Sequence, residues 1–154
     1  MSDTLKKQIF EFVKKGEVDE VVRLVRETGI DIANLLEDAK NFNQTPVFFA
    51  AINPNHETAL KMVQVLVEMG VNPLKEDLLK QNPLFYCARE GNMKVAQLLV
   101  QKGADVNHKD KYGQSAVYYS IREGLIQMTQ FLIDSGANFD MPDSQQKRPI
   151  YYAI

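Results

Sequence analysis

The sequence predicts an all-α solenoid of about five helix-turn-helix units, and three observations support this. Glycines recur 33 residues apart, at Gly70, Gly103 and Gly136. A motif rich in proline and aromatic residues follows, and its second residue stands 13 positions after each of these glycines. Apolar residues spaced i, i+3 and i+4 precede each glycine, as in a helix that buries one stripe. A fixed period of this length indicates a stack of repeats rather than one globular core.

The aromatic motif predicts the start of the first helix in each unit. Thr45, Asn82 and Ser115 stand at its beginning and are expected to act as N-caps, because their side chains can accept a bond from a free helical N–H. A proline then suits the first helical position in three of the copies, where its missing N–H costs nothing. The copies read Thr45-Pro46-Val47-Phe48-Phe49-Ala50-Ala51, Asn82-Pro83-Leu84-Phe85-Tyr86-Cys87-Ala88, Ser115-Ala116-Val117-Tyr118-Tyr119-Ser120-Ile121 and Arg148-Pro149-Ile150-Tyr151-Tyr152-Ala153-Ile154.

The second helix of each unit is predicted from its apolar stripe and its glycine stop. Gly70, Gly103 and Gly136 are expected to end these helices in the left-handed conformation. An aspartate then opens a turn before the next unit, at Asp77, Asp110 and Asp143. The stripes are Met62, Val65 and Leu66; Val95, Leu98 and Leu99; and Met128, Phe131 and Leu132.

Two irregularities interrupt the period. The interval from Pro46 to Pro83 is 37 residues, so the second unit carries about four extra residues, expected in a loop at 53–57 between its helices. A weaker copy precedes it, with a first helix over residues 4–15 and the second-helix pattern Val21, Leu24, Val25 and Gly29. Its lysine-rich polar side is typical of a capping repeat.

These motifs resemble the ankyrin repeat family. The resemblance rests on the 33-residue period, the Thr45-to-Ala51 motif and the segment Gly103-Ala104-Asp105-Val106-Asn107. A tetratricopeptide array has a similar period but lacks both motifs. The whole chain, 1–154, is interpreted as one ankyrin-repeat domain with approximate units 4–32, 42–74, 79–107, 112–140 and an incomplete 145–154.

The resemblance implies that first helices line a concave face, that second helices form the back, and that the turns project as fingers. In this family a histidine usually occupies the fourth position of the aromatic motif and hydrogen-bonds between repeats. Phe48, Phe85, Tyr118 and Tyr151 stand there instead. We therefore expect these rings to be buried and the contacts between units to rely on aromatic packing.

The end of the sequence is expected to lack a cap. Residues 145–154 reach only halfway through the first helix of a fifth unit, and Ile150 and Ile154 would leave apolar surface open. This pattern predicts further domains of the same chain beyond Ile154, either more repeats or a catalytic domain.

The second aromatic residue of each motif is the leading candidate for a partner site. By the family's geometry, Phe49, Tyr86, Tyr119 and Tyr152 lean toward the concave face. One interpretation is a recognition surface that packs apolar peptide side chains or holds a methylated lysine. The other interpretation is that these rings fill space between first helices. Further candidates for partner contact lie at the ends of first helices and at the finger tips, where a solvated face is the alternative: Arg89, Glu90, Arg122, Glu123, Leu78, Lys111 and Tyr112.

Composition excludes several other functions. The net charge of −2 gives no basic field for nucleic acid, and no apolar run is long enough to insert into a membrane. One cysteine, Cys87, and two histidines, His56 in the inserted loop and His108, make neither a zinc site nor a catalytic pattern. We expect an intracellular protein, cytoplasmic or nuclear, without cofactor, metal or catalytic residues of its own.

The leading hypothesis is a protein-interaction module that binds a protein or peptide on the concave face and finger tips. The alternative is a regulatory or substrate-recognition region of a multidomain enzyme, such as a protein-lysine methyltransferase, kinase or acyltransferase, with its catalytic domain beyond residue 154. That these residues are themselves an enzyme has almost no support from the sequence.

Overall fold

The protein folds as successive pairs of antiparallel helices, as described by a computed structural model of residues 2–36 and 42–153. Within these ranges the regular structure is entirely helical, which confirms the all-α repeat fold. The helix pairs are α1 (Asp3–Lys15) with α2 (Val18–Thr28), α3 (Pro46–Ala51) with α4 (His56–Glu68), α5 (Pro83–Glu90) with α6 (Met93–Gln101), and α7 (Ala116–Arg122) with α8 (Ile126–Asp134), followed by a 3-10 helix (Pro149–Tyr152).

The pairs stack in chain order to form two helical layers. In the first layer α1 contacts α3, α3 contacts α5, α5 contacts α7, and α7 contacts the 3-10 helix. In the second layer α2 contacts α4 and α4 contacts α6. Each unit therefore packs against its neighbours, as expected of a solenoid.

Capping by the predicted side chains occurs in only one of three helices. The Asn82 carboxamide oxygen accepts a bond of 3.0 Å from the Leu84 N–H. Thr45 and Ser115 have the extended backbone of an N-cap, but their hydroxyls make no capping bond. The Thr45 hydroxyl is buried without a hydrogen-bond partner, so the prediction for these two residues was wrong.

The extra residues of the second unit extend a helix instead of forming a separate loop. Helix α4 has 13 residues whereas α6 has nine, so the difference is about one helical turn. The Asn55 side chain caps the longer helix at the Thr58 N–H, 3.0 Å away, as Asn92 caps α6. His56 is thus the first residue of α4 and does not lie in a loop, which corrects the sequence prediction.

The core is formed by two of the three residues in each predicted stripe. Leu99 is fully buried, whereas its neighbour Leu98 is only partly buried. The middle residue is likewise partly buried in the other stripes, at Val65 and Phe131. The expectation that the whole stripe is buried was therefore wrong at these positions, although Leu98 and Phe131 still pack against the core. The flanking stripe residues are all buried: Met62, Leu66, Val95, Leu99, Met128 and Leu132.

The second helices end at the predicted glycines. Gly103 has a φ of 96°, and Gly70 and Gly136 have similar positive values. The N–H of Ala104 bonds back to the Leu99 carbonyl at 3.0 Å, which closes the end of α6. This left-handed turn sends the chain out of the second layer toward the next finger.

The last unit differs from its predicted form. Its first helix is a short 3-10 segment, in which Pro149 is buried and Ile150 is exposed. Tyr151 is 60% exposed, so the expectation that it is buried like its counterparts was wrong: no subsequent helix among the described residues covers it. Ile154, the other residue expected to be open, lies outside the described residues.

Candidate functional site

Each finger begins with an aspartate whose carboxylate closes the turn. Asp110 Oδ1 accepts bonds from the backbone N–H groups of Tyr112 at 2.9 Å and Gln114 at 3.0 Å. Its own N–H donates to the Gln114 carbonyl at 2.9 Å. Asp77 and Asp143 make the same bonds in their own turns. One short side chain therefore fixes the shape of each finger.

The second carboxylate oxygen joins this turn to two other side chains. Tyr119 Oη donates to Asp110 Oδ2 at 2.5 Å, and Gln81 Nε2 of the preceding unit donates to the same oxygen at 2.8 Å. Gln81 Nε2 also lies 2.8 Å from Tyr119 Oη. All three residues are buried. The trio, which we call a Gln–Asp–Tyr latch, thus connects one unit to the next.

The latch occurs three times within the part of the stack that the structure describes. Sequence reasoning identified the aspartates and tyrosines separately but missed the glutamines. The signal was present, because Asp77, Gln81 and Tyr86 are spaced 4 and 5 residues apart, and the next unit repeats this spacing. The three latches are Gln44–Asp77–Tyr86, Gln81–Asp110–Tyr119 and Gln114–Asp143–Tyr152.

Aromatic contacts reinforce the same junctions. The ring of Phe48 meets that of Tyr86 edge to face, with centroids 5.2 Å apart, and Phe85 meets Tyr119 at 5.7 Å. Tyr118 donates through its hydroxyl to the Lys147 carbonyl at 2.8 Å, in the following finger. The expected aromatic packing between units is confirmed, and the latches add a hydrogen-bond network that the sequence analysis did not predict.

The network shifts the acidity of its members. Burial, together with the charge and hydrogen bonding of the partner aspartate, raises the pKa of Tyr86 and of Tyr119 well above the ordinary tyrosine value. Burial opposes ionisation of Asp143, but hydrogen bonds from Tyr152, Gln114 and the backbone outweigh it and lower the pKa of Asp143 to about 2. The tyrosines therefore remain protonated donors and Asp143 remains an anion at neutral pH.

Arginine side chains stack between the tyrosines. The Arg89 guanidinium carbon lies 5.1 Å from the Tyr86 ring centroid and 4.9 Å from that of Tyr119. The Arg122 guanidinium lies 5.2 Å from the Tyr119 centroid and 4.8 Å from that of Tyr152. These distances are within the range of cation–π attraction. We call the alternating row Tyr86, Arg89, Tyr119, Arg122 and Tyr152 the Tyr–Arg ladder.

The ladder does not continue into the second unit. Phe49 has no hydroxyl, and it packs against Phe10 and beneath the ammonium of Lys14, which is 4.5 Å from its ring centroid. Ile52, at the position that Arg89 occupies in the next unit, is 41% exposed. Phe49 was predicted as the first member of the aromatic row, but the structure places it outside the arginine stacking.

An open groove of about 310 Å³ lies beside the last part of the ladder. Arg122 Nη2 donates to Gln114 Oε1 at 3.1 Å, so this guanidinium is held at the groove wall. The corresponding oxygen of Gln81 is buried without a partner, so Arg89 is not held in the same way. The groove is lined by Lys111, Tyr112, Gln114, Tyr119, Arg122, Asp143, Ser144 and Gln145.

The predicted finger-tip residues are open to solvent. Leu78 is 52% exposed and Tyr112 is 53% exposed, and Lys111 is exposed beside them. Backbone bonds tie successive tips together, including Lys111 N–H to the Leu79 carbonyl at 2.9 Å and Ser144 N–H to the Tyr112 carbonyl at 3.0 Å. Glu90 and Glu123 follow the two ladder arginines and are exposed.

Cys87 and His108, the other residues considered for chemistry, have structural surroundings. Cys87 is fully buried, and burial raises the pKa of its thiol. His108 Nε2 lies 2.9 Å from the Lys80 carbonyl and 3.3 Å from Glu76. Among residues 2–36 and 42–153, no group of three or more histidine, cysteine and acidic side chains could hold a metal ion. Within the same ranges, no helix is long and apolar enough to cross a membrane.

Comparison with known protein families gives a match. A family model described as ankyrin repeats, in three copies, matches residues 9–110. This range covers about two thirds of the chain and includes the first two latch aspartates. A search of curated proteins gives no match.

Proposed function

Because this chain belongs to the ankyrin repeat family, whose domains are generally protein–protein interaction modules, we propose that it binds a protein or peptide through the Tyr–Arg ladder and the adjacent finger tips. The observation that carries the proposal is the ladder itself. Tyr86, Tyr119 and Tyr152 alternate with two arginines along one face of the first helices. Tyrosine and arginine are the side chains that most often dominate the energy of protein interfaces.

The rigidity of the ladder supports this role. Each tyrosine hydroxyl is bonded to a finger aspartate, and each aspartate is fixed by its own turn. A partner would therefore meet the half-buried rings of Tyr86 and Tyr152, and the arginines stacked on the buried Tyr119, in positions that are already defined. Little conformational entropy would then be lost on binding. The open groove beside Arg122 gives a partner side chain a place to enter.

The chemistry of the site favours binding over catalysis. Ankyrin repeat domains are typically non-catalytic. The buried carboxylates of Asp77, Asp110 and Asp143 are fully engaged by backbone and side-chain donors. The Cys87 thiol is buried and its pKa is raised, so the reactive thiolate is disfavoured.

The alternative function, a recognition region of a multidomain enzyme, makes the same demand on these residues. Such a region would also have to hold a peptide or a neighbouring domain. The ladder and the finger tips would be the binding surface in either case.

Selection from a random peptide library displayed on phage tests the proposal directly. The immobilised protein would be used to enrich binders, and the affinity of the enriched peptides would be measured by fluorescence anisotropy. Two variants alter the proposed surface, Arg122→Ser and Tyr112→Ser, both at exposed positions. Arg26→Ser on α2 and Gln97→Ser on α6 are the controls, because both are exposed and lie on the second-helix layer.

We expect the two ladder-side variants to weaken binding at least about tenfold, since removal of an interface hot-spot side chain has this effect or more. The two controls should bind like the unaltered protein. Circular dichroism would verify that all four variants keep their helices. Binding that survives both ladder-side changes would contradict the proposed location, whether or not a control variant loses it.

A further inference from the structure

Resting on the proposed function, we propose that the ladder recognises an extended acidic peptide segment, with carboxylate side chains spaced three residues apart. One carboxylate would bond to the guanidinium of Arg122 and the next to that of Arg89. The peptide would lie along the row of first helices in a polyproline-type conformation. Its acidic side chains would enter between the fingers and the tyrosine rings.

The ladder arginines have donors left for such a partner. A guanidinium carries five N–H donors in a planar fork. Stacking on two rings engages the faces of the group rather than its N–H edge, and Arg122 uses one nitrogen for the 3.1 Å bond to Gln114. Neither Arg89 nor Arg122 is paired with an acidic side chain in the ion pairs among the described residues. A planar fork of this kind matches the two oxygens of a carboxylate.

The spacing of the two arginines sets the spacing in the partner. Both guanidinium carbons stack on Tyr119, at 4.9 Å and 5.2 Å from its ring centroid, so their separation is at most the sum of these distances, 10.1 Å. Helices α5 and α7 carry them and are in contact, and packed helices lie roughly 8–10 Å apart. A polyproline II helix repeats every three residues over about 9.3 Å, which places every third side chain on the same face. A β-strand would bring side chains of one face about 6.7 Å apart, which is less than the usual distance between packed helices.

The surrounding charges favour an anionic partner. Lys111 is exposed at the lip of the groove beside Arg122. The third groove charge, Asp143, is an anion, but its carboxylate oxygens already accept hydrogen bonds from Tyr152, Gln114 and two backbone N–H groups. Glu90 and Glu123 each follow a ladder arginine by one residue. Both glutamates are exposed, and among the described residues neither forms an ion pair with a ladder arginine.

The same geometry disfavours two other ligands. A methylated lysine needs open aromatic faces, but the faces of Tyr119 already stack with Arg89 and Arg122. Phosphorylated side chains are usually held by a cluster of arginines on one phosphoryl group. The ladder supplies one arginine per unit, which suits one carboxylate per unit.

Fluorescence anisotropy with synthetic peptides would test the proposal. The probe is a labelled peptide with the sequence Glu-Pro-Ala repeated, which has a carboxylate at every third position. Its matched control has the same composition but places the glutamates in adjacent pairs. A third peptide carries glutamine in place of glutamate, and a fourth carries phosphoserine. The protein variants are Arg122→Gln, Arg89→Gln and, as an equal change of charge on the second-helix layer, Arg26→Gln.

We expect the evenly spaced acidic peptide to bind and to lose about tenfold or more in affinity with Arg122→Gln, because a charge-assisted bidentate bond is removed. Arg89→Gln should weaken binding less, since Arg89 is not anchored by its glutamine. Arg26→Gln should have no effect. The paired-glutamate peptide should bind at least about fivefold more weakly, and the glutamine peptide should not bind.

Three outcomes would overturn the inference. Equal binding of the spaced and paired peptides would eliminate the three-residue period, and markedly tighter binding of the phosphoserine peptide would eliminate the carboxylate assignment. The third is failure of every acidic peptide while phage selection yields neutral or basic peptides that depend on Arg122 or Tyr112. In that case the proposed function would survive without the inference, whereas selected peptides that ignore the ladder altogether would contradict both.

Discussion

The hydroxyl of Tyr119 donates a hydrogen bond of 2.5 Å to the carboxylate of Asp110, which lies nine residues earlier in the chain. Gln81 of the preceding unit donates to that same carboxylate oxygen at 2.8 Å. The aspartate also holds its own finger closed through the backbone N–H groups of Tyr112 and Gln114. One buried side chain therefore determines the finger shape, the ring position and the junction between units.

Replacing this aspartate should destabilise the protein strongly. Asp110→Ala would remove the acceptor for two backbone and two side-chain donors and would leave the Gln81 amide and Tyr119 hydroxyl buried. A loss of about 2–4 kcal/mol in the free energy of unfolding is expected, because unsatisfied buried donors add to the loss of charge-assisted bonds. Urea denaturation followed by circular dichroism would measure it.

Asp105→Ala is the matched control for this change. Asp105 Oδ1 accepts the Asn107 N–H, at 2.9 Å, in an exposed turn. Its removal should cost no more than about 1 kcal/mol. Equal destabilisation by the two substitutions would mean that the latch adds nothing beyond the closure of a turn.

The buried phenols make stability fall at alkaline pH. In the unfolded chain Tyr86 and Tyr119 ionise near the ordinary value of about 10, whereas in the folded protein their pKa values are raised. Above that pH the folded state binds more protons than the unfolded state, so the free energy of unfolding decreases as pH rises. The buried Cys87 thiol, whose pKa is also raised, begins to act in the same direction at somewhat lower pH.

The contribution of one latch can be separated by comparing Tyr119→Phe with the unaltered protein. The free energy of unfolding would be measured in urea from about pH 8 to pH 11, a range that spans the ordinary tyrosine pKa. The phenylalanine variant should show a shallower decline above about pH 10, although it starts from a lower value. Parallel curves would show that the Tyr119 hydroxyl is not protected from ionisation by folding.

The helix pairs and their stacking could be predicted from the sequence because each depends on local patterns. Glycine spacing, proline at helix starts and apolar periodicity each act within one unit. Gly103, for example, ends its helix through its own positive φ. The latch was not predicted, because Gln81 contributes to a junction with residues 29 and 38 positions away. Stacking of Arg89 on two rings from different units is likewise visible only in three dimensions.

The predicted burial of the apolar stripes was wrong at positions where a second helix is covered by a neighbouring unit on only part of its surface. Leu98 and Leu99 are adjacent and chemically identical, yet only Leu99 is fully buried. An amphipathic pattern specifies which side of a helix is apolar, but the degree of burial depends on the neighbouring unit. The same reasoning applies to Tyr151, which repeats the pattern of Tyr118 but has no subsequent helix over it among the described residues.

The difference in burial between Leu98 and Leu99 can be tested by substituting each of these two residues. Leu99→Ala should lower the free energy of unfolding by about 2–5 kcal/mol, as expected for a fully buried leucine. Leu98→Ala removes the same atoms from a partly exposed position and should cost clearly less, about 1–2 kcal/mol. Chemical denaturation of both variants under identical conditions would give the comparison. A larger cost at Leu98 would mean that the helix is rotated from the orientation described.

Contact between the last two fingers can be tested at Gly113. A Cβ added there would lie 2.7 Å from Ser144 Oγ and 2.8 Å from the Ser144 backbone nitrogen, and the backbone of Gly113 has a φ of +74°. Gly124 has a similar φ of +66°, but a Cβ added there would meet nothing within 4 Å. Gly124→Ala should therefore cost only the left-handed strain, about 1–2 kcal/mol.

Gly113→Ala should cost that strain and a further loss from the backbone clash, because the serine hydroxyl can rotate away whereas the Ser144 nitrogen cannot move without displacing its finger. The bond from Ser144 N–H to the Tyr112 carbonyl, 3.0 Å long, should weaken as the fingers separate. Hydrogen exchange at the Ser144 amide would report this directly, with faster exchange expected in Gly113→Ala and little change in Gly124→Ala. Equal stability and unchanged exchange in the two variants would show that the fingers are not packed against each other at this point.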